Sequence, residues 1–360
     1  MNSLDDLSIV KKYDSANAFD SIKQLPDQCK QAWEQSSLID FPSKYSKATN
    51  IVISGMGGSS YGARIVKSLY SWQTLKVPID LSNNYELPQY INEKSLVILS
   101  SYSGSTEETL TAASVAKEKQ TLISGITSGG KLGEFLKSNN FPSYIFNPVH
   151  NPSSQPRIGV GYMLFGLIGM LAKLGFIIVN HKDIENLINF LKEKKTELSG
   201  NPLNKNLAKQ LALKIAPKIP IFIVADFLEG TAYAIRNPMH ETGKQFALYF
   251  AVPEINHHLM EGLSYPSEIK KYLLFIFIKT ELYDSRNSKR LELTKEVVEK
   301  NSIETDTITL SGNSQLTQTI ELIQLGNWVS FYLAMLNGVD PSKIPWVDYF
   351  KKKLNRDPNI

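Results

Sequence analysis

Two short segments carry the residue types best suited to chemistry: Ser54-Gly55-Met56-Gly57-Gly58-Ser59-Ser60 and Ser101-Tyr102-Ser103-Gly104-Ser105-Thr106. Each follows an apolar, β-branched run, Ile51-Val52-Ile53 and Leu96-Val97-Ile98-Leu99, and each precedes a helix-like pattern. A strand that ends in glycine and serine and feeds a helix can cradle a phosphate. The glycines let backbone N–H groups approach closely, and the helix N-terminus carries partial positive charge. The hydroxyls add donors without adding a competing charge. If both strands lie in one parallel sheet, the two cradles converge at its carboxyl edge. The expected ligand is a phosphorylated small molecule.

The second half holds candidate acid–base residues. Glu241, in His240-Glu241-Thr242-Gly243-Lys244, comes late in a helix-like run. His257 and His258 close the segment Pro253-Glu254-Ile255-Asn256-His257-His258, just after a strand. A carboxylate near a histidine supplies a base and a second acid/base group, as moving a proton next to a carbonyl requires. Spacing alone leaves a plainer reading open: a helical glutamate is ordinarily a solvated face, and a histidine pair at a strand end ordinarily serves loop hydrogen bonds. Arg157, in Gln155-Pro156-Arg157, opens an apolar helix from Pro156. It either snorkels at the surface or lies at the edge that carries the serine loops. There it would stabilise an enediolate or touch phosphate.

Other chemistries fit poorly. His240-Glu241 and His257-His258 lack the HExxH spacing, so no metal site is expected. Ser59 and Ser103 lack the GxSxG elbow of an acyl nucleophile. Ser60 stands where the third glycine of GxGxxG would fall, which disfavours a dinucleotide.

The elements that must position these residues are legible in outline. With 360 residues the chain has room for two α/β domains with full cores. Hydrophobic residues make up 42% and charged residues 21%, an ordinary soluble composition. A net charge of +4, without a Lys/Arg run interleaved with aromatics, argues against nucleic acid. The single cysteine, Cys29, excludes an intrachain disulfide and any cysteine-rich zinc site, and suggests a reducing, cytoplasmic setting. The first residues do not read as a signal peptide. Residues 158–179 are nearly all apolar, but Lys173 and several glycines interrupt them. They read as a buried helix ending near Gly175 rather than a membrane span.

Residues 1–47 read as a helical segment, with helices at 15–25 and 27–36 separated by Pro26. Over 48–180, strands at 51–54, 79–81, 96–100, 121–126 and 144–146 alternate with helices at 61–72, 106–119, 131–137 and 156–175. Such alternation predicts a parallel sheet between two helical layers. A helical linker, 181–202, ends at Gly200-Asn201-Pro202. The pattern restarts over 203–340: strands at 219–225, 248–251, 272–278 and 307–310, and helices at 230–245, 290–300 and 317–336. Pro238 is expected to kink the first of these helices. The last segment, 341–360, carries an amphipathic helix with Lys351-Lys352-Lys353 near its end.

In this order, GMGGSS, SYSGSTEET, QPRIGVGY, HETGK, PEINHH and GNWVSFYLAMLNGVDP resemble the bifunctional phosphoglucose/phosphomannose isomerases over residues 45–355. That resemblance implies two sugar isomerase (SIS) domains, each an α/β three-layer αβα sandwich with a mainly parallel sheet. It implies interconversion of glucose 6-phosphate, fructose 6-phosphate and mannose 6-phosphate through a cis-enediol, with no cofactor and no metal. Its phosphate-binding residues fall on Gly58, Ser59, Ser101, Ser103 and Thr106. The arginine falls on Arg157, the base on Glu241, the ring-opening histidine on His257, and a C-terminal lysine on Lys351, with Lys352 as the alternative register. It further implies a homodimer whose site is completed across the interface, and the apolar helices at 156–175 and 325–336 could supply that interface. No nucleic-acid or membrane partner is implied. The chain departs from the family pattern at Ser60, Ser105, His240 and Thr242-Gly243. Three rival readings stand beside it: a SIS isomerase for another sugar phosphate, a catalytically silent sugar-phosphate sensor, and, given the altered HETGK segment, structural homology alone with a different substrate.

Overall fold

The computed structural model describes residues 4–354 and shows two parallel sheets with helices on both sides. Three N-terminal helices come first: α1 (Leu7–Tyr13), α2 (Ala18–Lys23) and α3 (Leu25–Ser36). The first sheet then builds from β1 (Asn50–Ser54), α4 (Tyr61–Tyr70), β2 (Ile79–Ser82), β3 (Ser95–Ser100), α5 (Glu107–Glu118), β4 (Leu122–Thr127), α6 (Gly130–Ser138), β5 (Ser143–Ile145) and α7 (Val160–Lys173). After α8 (His181–Gly200) and α9 (Leu207–Ile215), the second sheet builds from β6 (Ile219–Ala225), α10 (Glu229–Glu241), β7 (Leu248–Val252), β8 (Leu273–Lys279), α11 (Ser285–Lys300) and β9 (Glu304–Thr309). The long α12 (Gln315–Leu336) and the terminal α13 (Pro345–Leu354) follow.

The strand orders are β2-β1-β3-β4-β5 and β7-β6-β8-β9. All pairs are parallel, so every strand of a sheet delivers its following loop to the same edge. In the first sheet Ser54 pairs with Leu99 in register, which brings the loops after β1 and β3 out side by side. In the second, Ala225 pairs with Val252, so the chain after β7 leaves beside the turn into α10. Residue alternation divides the core. Ile51, Ile53, Leu96 and Ile98 face α3, α4 and α7, while Val52, Val97 and Leu99 face the other way with Ala112, Ala113 and Ala116 of α5. The first of these apolar clusters continues without a break into the second sheet. The join is made by α4 against α10, where a Cβ on Gly230 would lie 2.3 Å from the Arg64 carbonyl oxygen.

Several expectations need revision. Pro26 lies in the first turn of α3 rather than between helices, where its missing N–H costs nothing. Helices α1 and α9 are additions that the sequence pattern does not predict. Arg157 precedes α7 rather than opening it, and the apolar helix starts three residues later, at Val160. The expected interface helices are a clear correction. Residues Val160–Leu171 of α7 are all buried, as is nearly all of α12, because α3 and α4 cover the one and α8, α9 and α10 the other. Their apolar faces are spent inside the chain. Exposed large apolar side chains sit instead on α13, at Trp346, Tyr349 and Phe350. No helix among the described residues is long and apolar enough to cross a membrane. Residues 1–3 and 355–360 of the two expected terminal helical segments lie outside the described residues.

Candidate active site

The two serine loops are stitched to each other. The Tyr102 N–H donates to Ser59 Oγ at 2.9 Å, and Ser100 Oγ donates to the Ser59 carbonyl at 2.7 Å. In the first loop Gly57 takes a positive φ of 49°, a conformation glycine adopts without steric cost. Gly58 packs against the backbone of Arg157, since a Cβ there would lie 3.2 Å from both the Arg157 N and Cα. In the second loop Ser101 Oγ and Thr106 Oγ1 pair at 2.8 Å. Gly104 is needed here: its φ is 69°, and a Cβ would lie 1.8 Å from the Gly129 carbonyl oxygen. Thr106 is the N-cap of α5, and its hydroxyl turns to Ser101 instead of capping the helix. The first N–H groups of α5 therefore keep no side-chain cap from Thr106. Ser59 and Ser101 are buried, whereas Ser103 is exposed and pairs with Ser105 and the loop backbone.

Arg157 is the centre of the site. It is 2% exposed, and its guanidinium bonds are nearly complete. Nε donates to Thr242 Oγ1 at 3.0 Å, Nη1 to Gln155 Oε1 at 2.9 Å, and Nη2 to the Pro341 and Ser342 carbonyls at 2.7 and 3.0 Å. Nη1 also faces Glu241 Oε2 at 3.6 Å. Burial pulls the guanidinium below its ordinary value, and Glu241, as the largest opposing influence, holds it charged. This settles the choice left open by the sequence: Arg157 is no snorkelling surface residue.

Glu241 is the last residue of α10 and is half-buried. The turn after it is fixed from several sides. Thr242 is held by Arg157, and Asn337 Nδ2 donates to the Gly243 carbonyl at 2.9 Å. His240 Nε2 lies 2.9 Å from the Ala247 carbonyl, tying the end of α10 to β7. The departures from the family pattern therefore have structural uses. Thr242 anchors the arginine, and Gly243 lets the turn lie against α12, since a Cβ there would sit 3.2 Å from Leu333 Cβ.

Glu241, Arg157, Gly58 and the two loops thus come together. His257 does not join them within the chain. It ends a short 3-10 helix, Glu254–His257, is exposed, and makes no side-chain hydrogen bond or ion pair among the described residues. His258 is likewise exposed and, among the described residues, unbonded through its side chain. Lys351 and Lys352 are exposed on α13. Among the described residues no three His, Cys, Asp or Glu side chains are grouped to hold a metal. Sequence reasoning missed Gln155, Lys244 and Tyr61. Tyr61 is fully buried at the start of α4, its phenol pushed well up by burial and then by the charge of Glu241.

Comparison with known proteins places this chain in a family. Residues 204–354 match the model of the bacterial phospho-glucose isomerase C-terminal SIS domain. A bifunctional phosphoglucose/phosphomannose isomerase of Caldicellulosiruptor bescii is 34% identical over 93% of this chain and 98% of its own. One from Thermoplasma acidophilum is 29% identical over 85% of this chain and 90% of its own. The fold resembles that of a hypothetical protein from Thermus thermophilus, with a TM-score of 0.76 and 16% identity, over 97% of this chain and 92% of that one. The chain belongs to the family of bifunctional phosphoglucose/phosphomannose isomerases.

Proposed function

We propose that this protein interconverts glucose 6-phosphate and mannose 6-phosphate with fructose 6-phosphate through a shared cis-enediol. The observation that carries the proposal is the Arg157–Glu241 pair, a buried guanidinium with four of its five N–H groups anchored, 3.6 Å from a half-buried carboxylate, beside the hydroxyl loops. The 6-phosphate is held by Gly58, Ser59, Ser101, Ser103 and Thr106 and by the N-terminus of α5. Glu241 removes the C2 proton of the open-chain aldose and returns it to C1, while the hydroxyl proton of O2 passes to O1 across the enediol. As C1 is reduced, C2 is oxidised, so no external oxidant or reductant is consumed. Four of the five N–H groups of Arg157 have close partners, and the one directed at Glu241 has the loosest. That N–H is free to turn to the enediolate oxygen as negative charge develops there. Glucose and mannose 6-phosphates differ only at C2, so one enediol serves both if the site accepts rotation about C2–C3.

Ring opening is assigned to His257 of a second copy in a homodimer, with Lys351 closing over the site. The exposure of His257 and the apolar surface of α13 support this reading. The test is a product assay from fructose 6-phosphate in EDTA, with glucose and mannose 6-phosphates followed separately. Both products are expected, with turnover falling about 10²–10⁴-fold in Glu241→Gln. Turnover on another sugar phosphate alone would move the assignment to a different SIS isomerase. Tight binding of fructose 6-phosphate without turnover would make the protein a sensor.

A further inference from the structure

Outside the residues assigned above, one cation is built into the site. Lys244 lies three residues beyond Glu241, and its backbone takes a left-handed φ of 53°, uncommon for a residue with a side chain. That conformation turns the side chain back over the end of α10. Its Nζ donates to the Glu241 carbonyl at 2.7 Å and to the Asp340 carbonyl at 2.8 Å, with the Thr242 carbonyl at 3.5 Å. The Glu241 carbonyl is among the last of α10 and has no partner within the helix. The Asp340 carbonyl begins the strap whose next two carbonyls, Pro341 and Ser342, accept from Arg157.

We propose that Lys244 is a positioning residue for the isomerisation: its ammonium clamps the turn that carries Glu241 to the 340–342 strap, and so holds the carboxylate against Arg157. This rests on the reading of Glu241 as the base. A carboxylate on the last residue of a helix faces the negative end of the helix dipole. Arg157 offsets that at the carboxylate, and Lys244 offsets it at the carbonyl. Both cations reach the same strap, Lys244 at the Asp340 carbonyl and Arg157 at the Pro341 and Ser342 carbonyls, so the backbone of Glu241 cannot shift against the strap without breaking a charged hydrogen bond. The strap leads directly into α13, so the clamp also sets where that helix starts.

The charged groups facing the ammonium are Arg157, Asp340 and Glu241. The Asp340 carboxylate is occupied by Ser15 at 2.5 Å and Lys343 at 3.7 Å. Lys244 is exposed as a whole, but burial at its ammonium end, then the charge of Arg157, lowers it to about 8. As pH rises through that value the ammonium becomes an amine and the clamp weakens. An alkaline limb of turnover near pH 8 is therefore the expected signature of the clamp in the intact protein. KM changes less, because the phosphate loops are untouched.

The experiment compares the wild-type chain with Lys244→Met and Lys244→Arg, reading kcat and KM for fructose 6-phosphate from pH 6 to 10 with quenched samples. Lys244→Met is expected to lose about 10-fold or more in kcat at neutral pH, with KM changed far less and no limb near pH 8. Lys244→Arg keeps the charge and two or more donors. It is expected to retain most of kcat at pH 7 and to hold it beyond pH 9. A Lys244→Met enzyme with wild-type kcat, or a Lys244→Arg enzyme with an unmoved limb, overturns the proposal. If Lys244→Met does not fold, by its melting curve, the limb of Lys244→Arg alone decides. A wild-type chain that isomerises nothing overturns the reading of Glu241 and this clamp together, whereas failure in the variants alone overturns only the clamp.

Discussion

At the residue scale, Arg157 shows how much support one charge needs. A buried guanidinium with unpaired N–H groups would be costly, and this one is matched by Thr242, Gln155, two strap carbonyls and Glu241. The planar fork is what lets one side chain serve partners in several directions at once. Arg157→Lys keeps the charge and loses the fork, so it leaves some of these acceptors without a donor. Each buried group so orphaned costs roughly 1–3 kcal/mol. Turnover is expected to fall by about 10²-fold, the loss typical of removing one preorganised donor. Parallel melting curves and kcat measurements would show both, and unchanged kcat in a destabilised variant would leave Arg157 a purely structural residue. The triplet Gln155-Pro156-Arg157 identified the arginine in the sequence. Its partners were not legible, because Thr242 stands 85 residues away and Pro341 184 residues away. Nothing in a linear pattern marks a carbonyl as an acceptor for a distant cation.

At the element scale, the strand-to-helix punctuation of the first half was the strongest signal, and the structure follows it to within a few residues. The clearest case is β1, whose Gly-Ser loop leads straight into α4. The two helices that the pattern does not predict are short. One of them, α9, is announced only by Asn206, whose side chain accepts from the Lys209 N–H as an N-cap. What no periodicity could reveal is how close α10 lies to α4. Gly230 touches the backbone of α4, where a Cβ would meet Arg64 O at 2.3 Å and Ile65 N at 2.6 Å. Backbone atoms cannot swing aside as a side chain can, so Gly230→Ala must push the helices apart. Overpacking of this kind costs about 1–3 kcal/mol, and it displaces Glu241, one helix length away, from the loops that follow β1 and β3. Gly200→Ala, at the open end of α8 where a Cβ would meet nothing within 4 Å, is the control and is expected to be neutral or slightly stabilising. Denaturant midpoints and kcat for the two variants check this. Equal effects would mean that the α4–α10 approach does not position the base.

At the scale of the whole molecule, the candidate residues do not all bond to one another within the chain. Glu241 and Arg157 lie at the junction of the two sheets, while His257 stands exposed beyond β7 without a side-chain partner among the described residues. The apolar helices that looked available for a subunit interface are consumed by the core, and α13 instead presents Trp346, Tyr349 and Phe350 to solvent. Under the proposed reading, a second copy in an isologous dimer covers this histidine and this aromatic helix, each chain lending its His257 to the other's Glu241. The arrangement makes a prediction that separates it from a site completed within one chain. Glu241→Gln and His257→Ala are each expected to be inactive as pure proteins. When the two are mixed, unfolded and refolded together, half of the dimers formed are mixed. One of the two sites in a mixed dimer then pairs an intact Glu241 with an intact His257. Activity should return to about one quarter of wild type, the share set by random pairing in a two-fold dimer. If both residues served the same chain's site, every site in the mixture would lack one of them, and no activity would return at any ratio.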